Sequence, residues 1–323
     1  MRGLLTHFIF SANVVFPIFL VIALGYFLGR KGFFSAGTIN EMNRLVFTIA
    51  LPVMLFRNVY QADFAAIFDF RFIFWILASI FICFSLLWVV GEIYLRKQPH
   101  LIGAFVQGAF RCNYAIVGLT LADNILGEAN TGLGALAAAF VVTSYNVGSV
   151  VVLTVKDPDN EKKFNASLVK DMVIGVCKNP SVIGIALGVL VGVSNMPFPV
   201  IAQEGVNYIA ALCSPIALLA IGASIRVQEV KQRLKPAIVA SVFKIVISPL
   251  IFVTISVWMG FRYENLVVLF VMFANPTAIM SYVMAARMNG DTTLTSAIIL
   301  ITTVCSVFTM TVGVYILRTF ALI

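Results

Sequence analysis

Ten apolar runs, each about 20 residues long, divide this chain. They lie near 8–29, 39–57, 72–95, 101–122, 133–155, 173–194, 205–225, 236–259, 265–287 and 293–317. Short polar stretches separate them. The longest is Lys156–Lys178, which opens Lys156-Asp157-Pro158-Asp159-Asn160-Glu161-Lys162-Lys163 and reads as a solvated linker. Runs of this length exclude the alternating strands of an outer-membrane barrel, which need only about 10 residues. In hydrocarbon every backbone N–H and C=O needs an internal partner, so each run predicts a helix. The first run exceeds the apolar stretch of a signal peptide and has only Arg2 before it, so it reads as a retained span. The expectation is an all-α membrane protein with ten transmembrane helices.

The pattern repeats. Pro17 opens a block ending Ile22-Ala23-Leu24-Gly25-Tyr26-Phe27-Leu28-Gly29, and Pro180 opens one ending Ile185-Ala186-Leu187-Gly188-Val189-Leu190-Val191-Gly192. At the same offset of 163, Glu41 meets Glu204, Pro52 meets Pro215, Phe110 meets Phe273, Ala115-Ile116 meets Ala278-Ile279, and Gly127 meets Gly290. Identity along the register is weak; the weight rests on Pro and Gly in matching places. Five runs precede the linker and five follow it. An odd number of crossings turns the second copy over, so this predicts two inverted five-helix repeats about an axis in the membrane plane. The boundaries are repeat one at 8–155, linker at 156–170 and repeat two at 171–320, within a single membrane domain 1–323.

Composition agrees: 61% of residues are hydrophobic and 11% charged, with mean hydropathy +1.01, against about 25% charged in a soluble domain. Of the 22 Lys and Arg, 14 lie in one set of loops, 5 on the opposite side, and Arg44, Arg111 and Lys244 fall inside runs. The positive-inside rule makes the Lys/Arg-rich side cytoplasmic and both termini external, in a multi-pass plasma-membrane protein of bacterial inner-membrane type. The formal charge of +8 then reflects insertion and contact with anionic lipid, and calls for no nucleic-acid partner. Cys83, Cys112, Cys177, Cys213 and Cys305 form no CxxC pair and read as small apolar residues, not a disulfide framework or metal site.

Two runs are interrupted by their own residues. The fourth reads Gln107-Gly108-Ala109-Phe110-Arg111-Cys112-Asn113-Tyr114 and the ninth Phe273-Ala274-Asn275-Pro276-Thr277-Ala278-Ile279-Met280-Ser281. Asn113 and Pro276 occupy the same place in the repeat. Proline removes a helical hydrogen bond, and Asn offers its backbone a competing one. The inverted axis makes broken helices four and nine cross near the midplane. Half-helix N-termini there present N–H groups suited to an anion. A simple proline kink is the alternative, and it is the reading for Pro52, Pro215 and Pro249. Candidate substrate-binding residues are Arg111, Asn113, Tyr114, Asn275, Pro276 and Ser281 at the interruptions, with Lys244 in the eighth run and Tyr145 and Asn146 in the fifth.

A deep cation is costly, by about 2.5–3.5 kcal/mol on insertion scales. Arg111 and Lys244 either hold an anion or pair with backbone carbonyls at the crossover, and both readings stand for each. The acids are peripheral. Glu41 and Glu204 begin equivalent helices, Glu128 and Asp291 follow the broken runs, and Asp123 is a candidate for coupling. Thr143-Ser144-Tyr145-Asn146 either bonds between helices or lines a cavity. No buried acid, histidine or nucleophile–base arrangement supports an intramembrane enzyme. No phosphate-binding loop occurs, so ATP coupling within the chain is not expected.

These residues resemble the auxin efflux carrier family of permeases, whose bacterial members include malate and malonate carriers. The resemblance spans the chain. It is carried by the Ile22–Tyr26 block, Leu51-Pro52, Phe110-Arg111-Cys112-Asn113 with Gly118-Leu119, Lys178-Asn179-Pro180, Ser214-Pro215 with Gly222, and Asn275-Pro276. Many members look like Gly-Leu-Pro after the fourth-run break, where this chain has Gly118-Leu119-Thr120. The resemblance implies a ten-helix fold related to the bile acid:sodium symporters. Helices one, two, six and seven would form a scaffold that often dimerises, so a homodimer is among the expected partners. Helices three to five and eight to ten would move around the crossover in an elevator-like cycle. The expected function is a secondary carrier for small organic anions such as mono- or dicarboxylates, without a cofactor and with an unidentified coupling ion. A sodium-coupled symporter and a passive anion channel are the alternatives.

Overall fold

The computed structural model describes residues 2–61, 69–127, 132–157, 170, 174, 178–194, 199–225 and 233–323. Most of the linker 156–170, with Lys162 and Lys163, lies outside the described residues, as do Cys177 and Glu128.

Helix occupies every apolar run. α1 is Arg2–Arg30. α2, Ala36–Leu45, and α3, Leu51–Tyr60, are joined by a π-helical turn at Val46–Ala50. α4 is Phe70–Tyr94. α5, Ile102–Phe110, breaks before a π turn at Tyr114–Gly118 that leads into α6, Leu119–Leu126. α7 is Gly132–Val155, α8 Pro180–Ser194 and α9 Val200–Ala223. α10, Leu234–Val242, and α11, Ser248–Trp258, flank a third π turn at Phe243–Ile247. α12, Tyr263–Ala274, breaks before α13, Met280–Arg287, and α14 is Thr292–Thr319. Among the described residues, seven helical stretches are long and apolar enough to cross a membrane: Leu5–Arg30, Ala36–Tyr60, Phe70–Tyr94, Gly132–Val155, Val200–Ala223, Leu234–Trp258 and Thr292–Thr319. The described residues form no named strand.

Local chemistry sets the ends. Ser35 caps α2 by accepting from Thr38 N at 3.0 Å, so this helix starts before its apolar run does. Glu41 therefore sits in the second turn, 3.8 Å from Arg44, and Glu204 likewise lies beyond the first turn of α9. Neither acid begins its helix as the sequence implied. Asp291 caps α14 through Leu294 N and is tied to Arg233 at 3.2 Å. Pro52 and Pro249 each follow a π turn by two residues. A proline ring pushes away the carbonyl four residues back and gives it no N–H, so the turn before it widens while the helix continues. Pro17 and Pro215 are absorbed within α1 and α9.

The half-helices α5 and α12 lie at the centre. Every residue of α5 is buried, as is the whole stretch Leu266–Ala274. α1, α4 and α9 instead show rows of exposed Leu, Ile and Phe, as helices bordering lipid do.

Two glycine seams join the rods. α1 packs on α9, and α3 packs on α8. A Cβ on Gly25 would collide with the backbone of Leu219, and one on Gly188 would lie 2.8 Å from Phe56 O. Gly29 abuts Ala223, and Gly192 abuts Tyr60. Each contact maps onto the other at the offset of 163: 25 to 188 and 219 to 56, then 29 to 192 and 223 to 60. Small residues four apart let backbones approach this closely.

Candidate functional site

The two interruptions meet. Cys112 and Thr277 form an isolated antiparallel bridge, and Asn113 N donates to Pro276 O at 2.9 Å. An ordinary antiparallel pair exchanges two such bonds. Pro276 has no N–H to return the second, and Asn113 O accepts from Gly118 N at 3.1 Å instead. Arg111 and Asn275 both adopt extended backbone, with ψ of 128° and 150°.

Breaking α12 orphans its last carbonyls, and side chains take them up. Met272 O would pair with residue 276, which is proline; Tyr145 Oη donates to it at 3.2 Å. Phe273 O would pair with Thr277 N, which donates instead to Thr302 Oγ1 at 3.1 Å; Lys244 Nζ donates to Phe273 O at 3.1 Å. On the other half-helix, Gly108 O accepts from Thr277 Oγ1 at 2.7 Å. The carbonyl-pairing alternative for Lys244 is therefore the geometry observed.

A cavity of about 60 Å³ opens beside the crossing. It is lined by Arg111 to Ile116, Ala278 to Met280, Val142 and Tyr145, and on the facing side by Asn43, Phe47 and Ile221. The segments 113–116 and 278–280 are the beginnings of the two second halves, so both positive dipole ends converge here. Arg111 is 6% exposed, donates to Ser149 Oγ at 3.3 Å and rests against Met284 Sδ. Neither Arg111 nor Lys244 makes an ion pair with a described carboxylate.

A second cavity of about 340 Å³ shares Asn43 and Ile279 with the first. Asn40, Ser224, Tyr282 and Ser296 add polar groups to its wall. Its walls come from the start of α2, the end of α9, α13 and the start of α14, next to loops that belong to the Lys/Arg-rich set. Asn43 and Ile279 thus border both the crossover cavity and the wider space toward that end.

Of the sequence-predicted residues, Arg111, Asn113, Tyr114 and Tyr145 line the crossover cavity. Asn275, Pro276 and Ser281 lie within the crossover but not on its wall. Asn275 is fully buried, packs against Gly118, and its side-chain N and O both lack a partner; Ser281 Oγ lacks one too. Lys244 sits behind the crossing, 1% exposed. Asn146 is half-buried and lines neither cavity. The sequence reading passed over Asn40 and Asn43. Their signal was two amides three residues apart at the polar start of the second run, which places them on one helix face. Thr120, the departure from the family pattern, makes a 2.9 Å hydroxyl bond to Ser214 on α9.

A family profile described as membrane transport protein matches residues 10–314. The Escherichia coli K12 protein named "Uncharacterized transporter YfdV" is 26% identical over 321 residues, covering 98% of this chain and 99% of that protein. The Rhizobium meliloti protein named "Putative malonate transporter" is 25% identical over 316 residues, covering 96% and 97%. A Methanothermobacter thermautotrophicus protein named "Uncharacterized transporter" is 22% identical over 315 residues, covering 94% and 97%.

Proposed function

The chain belongs to the membrane transport protein family of the auxin efflux carriers, and from that premise we propose that it is a secondary carrier for small organic anions, mono- or dicarboxylates. The observation that carries this reading is the crossover cavity. Two half-helix N-termini and a buried guanidinium with no carboxylate partner among the described residues line one space. Such a site offers fixed positive charge and aligned N–H donors, which an anion needs on leaving water. A relative named for malonate supports the dicarboxylate class.

In this reading the ten helices are two inverted repeats, and the chain alternates its access around the crossover. The reciprocal glycine contacts at offset 163 support the repeat. The wider cavity opens at the Lys/Arg-rich end, so the conformation is inward-facing if that end is cytoplasmic and both termini are external. The plasma membrane is the proposed location. The helices of runs one, two, six and seven (α1, α2, α3, α8 and α9) form the static scaffold, available for homodimer contacts.

Purified protein should melt at higher temperature in malonate or a related carboxylate, and not in a neutral analogue of equal size, because a ligand of the folded state stabilises it by mass action. Proteoliposomes should then show saturable uptake and counterflow. Carboxylates without effect in both assays remove the anion reading. The Thr120–Ser214 bond joins the crossover to the scaffold and must break as one moves past the other. One such bond is worth about 0.5–1.5 kcal/mol. Ser214→Ala should therefore speed counterflow by about 2- to 10-fold if domain motion limits the rate. Unchanged or slower exchange removes Ser214 from the moving boundary.

A further inference from the structure

Lys244 lies outside the proposed anion cavity, yet it is among the most enclosed side chains in the molecule. Its position is built by the sequence. Pro249 widens the preceding turn into the π segment Phe243–Ile247, and Lys244 is the second residue of that segment. The ammonium reaches Phe273 O, a carbonyl left open because Thr277 N is diverted to Thr302. The C-terminal end of α12 carries about half a negative charge in a medium where water cannot screen it. Among carriers with broken helices, unwound carbonyls and half-helix C-termini are the places where coupling cations bind. Here a tethered cation already holds that place.

We propose that Lys244 is a built-in counter-cation for the carbonyl end of α12, the first half of the broken ninth run, so that the crossover takes up no monovalent cation there. The proposal deepens the carrier reading, on which it rests, by naming what sets its ion dependence. Shortening the side chain leaves the carbonyl end of α12 facing a vacated, ammonium-sized space. A small cation from solution then fills it, and the folded state becomes cation-dependent.

The test compares wild type with Lys244→Ala and Lys244→Met, purified in detergent. Melting is followed in sodium, potassium, lithium and methylammonium chloride against choline chloride at equal ionic strength. Wild type should melt alike in all five salts. Each variant should melt lower in choline and regain stability in at least one small cation, methylammonium being the closest mimic of the lost group. Malonate affinity of the variants should rise with the same cation by about tenfold, a usual scale of coupling between two sites. A variant that cannot be purified in choline but is recovered in a small cation supports the proposal equally. Variants indifferent to every cation, or unrecoverable in all of them, overturn it, and so does specific stabilisation of wild type by sodium. The melting comparison uses no carboxylate, so failure of malonate to bind wild type would count against the anion reading alone.

Discussion

Arg111→Gln is expected to lower carboxylate affinity by about a hundredfold or more while leaving the fold intact. The guanidinium lines the crossover cavity and has no carboxylate partner of its own among the described residues. A bidentate Arg–carboxylate pair supplies two charge-assisted hydrogen bonds, each worth about 1.5–3 kcal/mol, and every 1.4 kcal/mol is about tenfold in affinity. Glutamine keeps a donor but loses the charge and the fork. Arg111→Lys keeps the charge as a point and loses one of the two parallel bonds, so it should cost about tenfold. The ordering Arg, Lys, Gln separates bidentate grip from charge alone. Isothermal titration with malonate reads the affinities, and melting temperature without ligand reports the fold. A folded Arg111→Gln protein with undiminished affinity would sink the assignment. Losing Arg111 also relieves an enclosed cation, so melting temperature without ligand should hold or rise.

The crossing was legible because its causes are local. Proline at 276 cannot donate, and asparagine at 113 competes for its own backbone, whatever the rest of the chain does. The offset of 163 was legible because prolines and glycines recur at it, and the Gly25–Leu219 and Gly188–Phe56 contacts fall at the same offset. Which side chains face the cavity was harder to read. Asn146 and Tyr145 are neighbours in one polar run, yet only Tyr145 reaches the cavity wall and the Met272 carbonyl. One residue of helix turns a side chain by about 100°, and the sequence carries no mark of which way α7 is rotated. Asn43 was missed for the opposite reason. Its partners across the cavity come from α7, α9 and the two crossover segments, far apart in the chain, so nothing near it in sequence announces a site. Lys244 was read with two alternatives open. Choosing between them required the path of Thr277 N, which is set by Thr302 on α14.

The glycine seams give the second large effect, in the form of a reversal of sign. In an exposed helix interior, Gly→Ala stabilises by up to about 1 kcal/mol, since alanine gives up less backbone entropy on folding. Gly205 sits in α9 with nothing within 4 Å of a built Cβ, and Gly205→Ala should raise the melting temperature. Gly25→Ala and Gly188→Ala should each do the opposite. Their methyl groups would meet backbone at Leu219 and at Phe56, and backbone in a packed helix cannot rotate aside as a side chain can. Separating the helices enough to admit the methyl opens the packing along the whole seam, at a cost of about 1–3 kcal/mol per site. Because the two contacts are images of each other at offset 163, the two losses should be similar in size. The double variant should lose about the sum, since Gly25 and Gly188 meet different residues on different helix pairs. Melting temperature and monodisperse yield in one detergent check all four proteins. A large loss at Gly25 with none at Gly188 would mean that only one seam bears on stability, and the two-fold reading of the scaffold would fail with it.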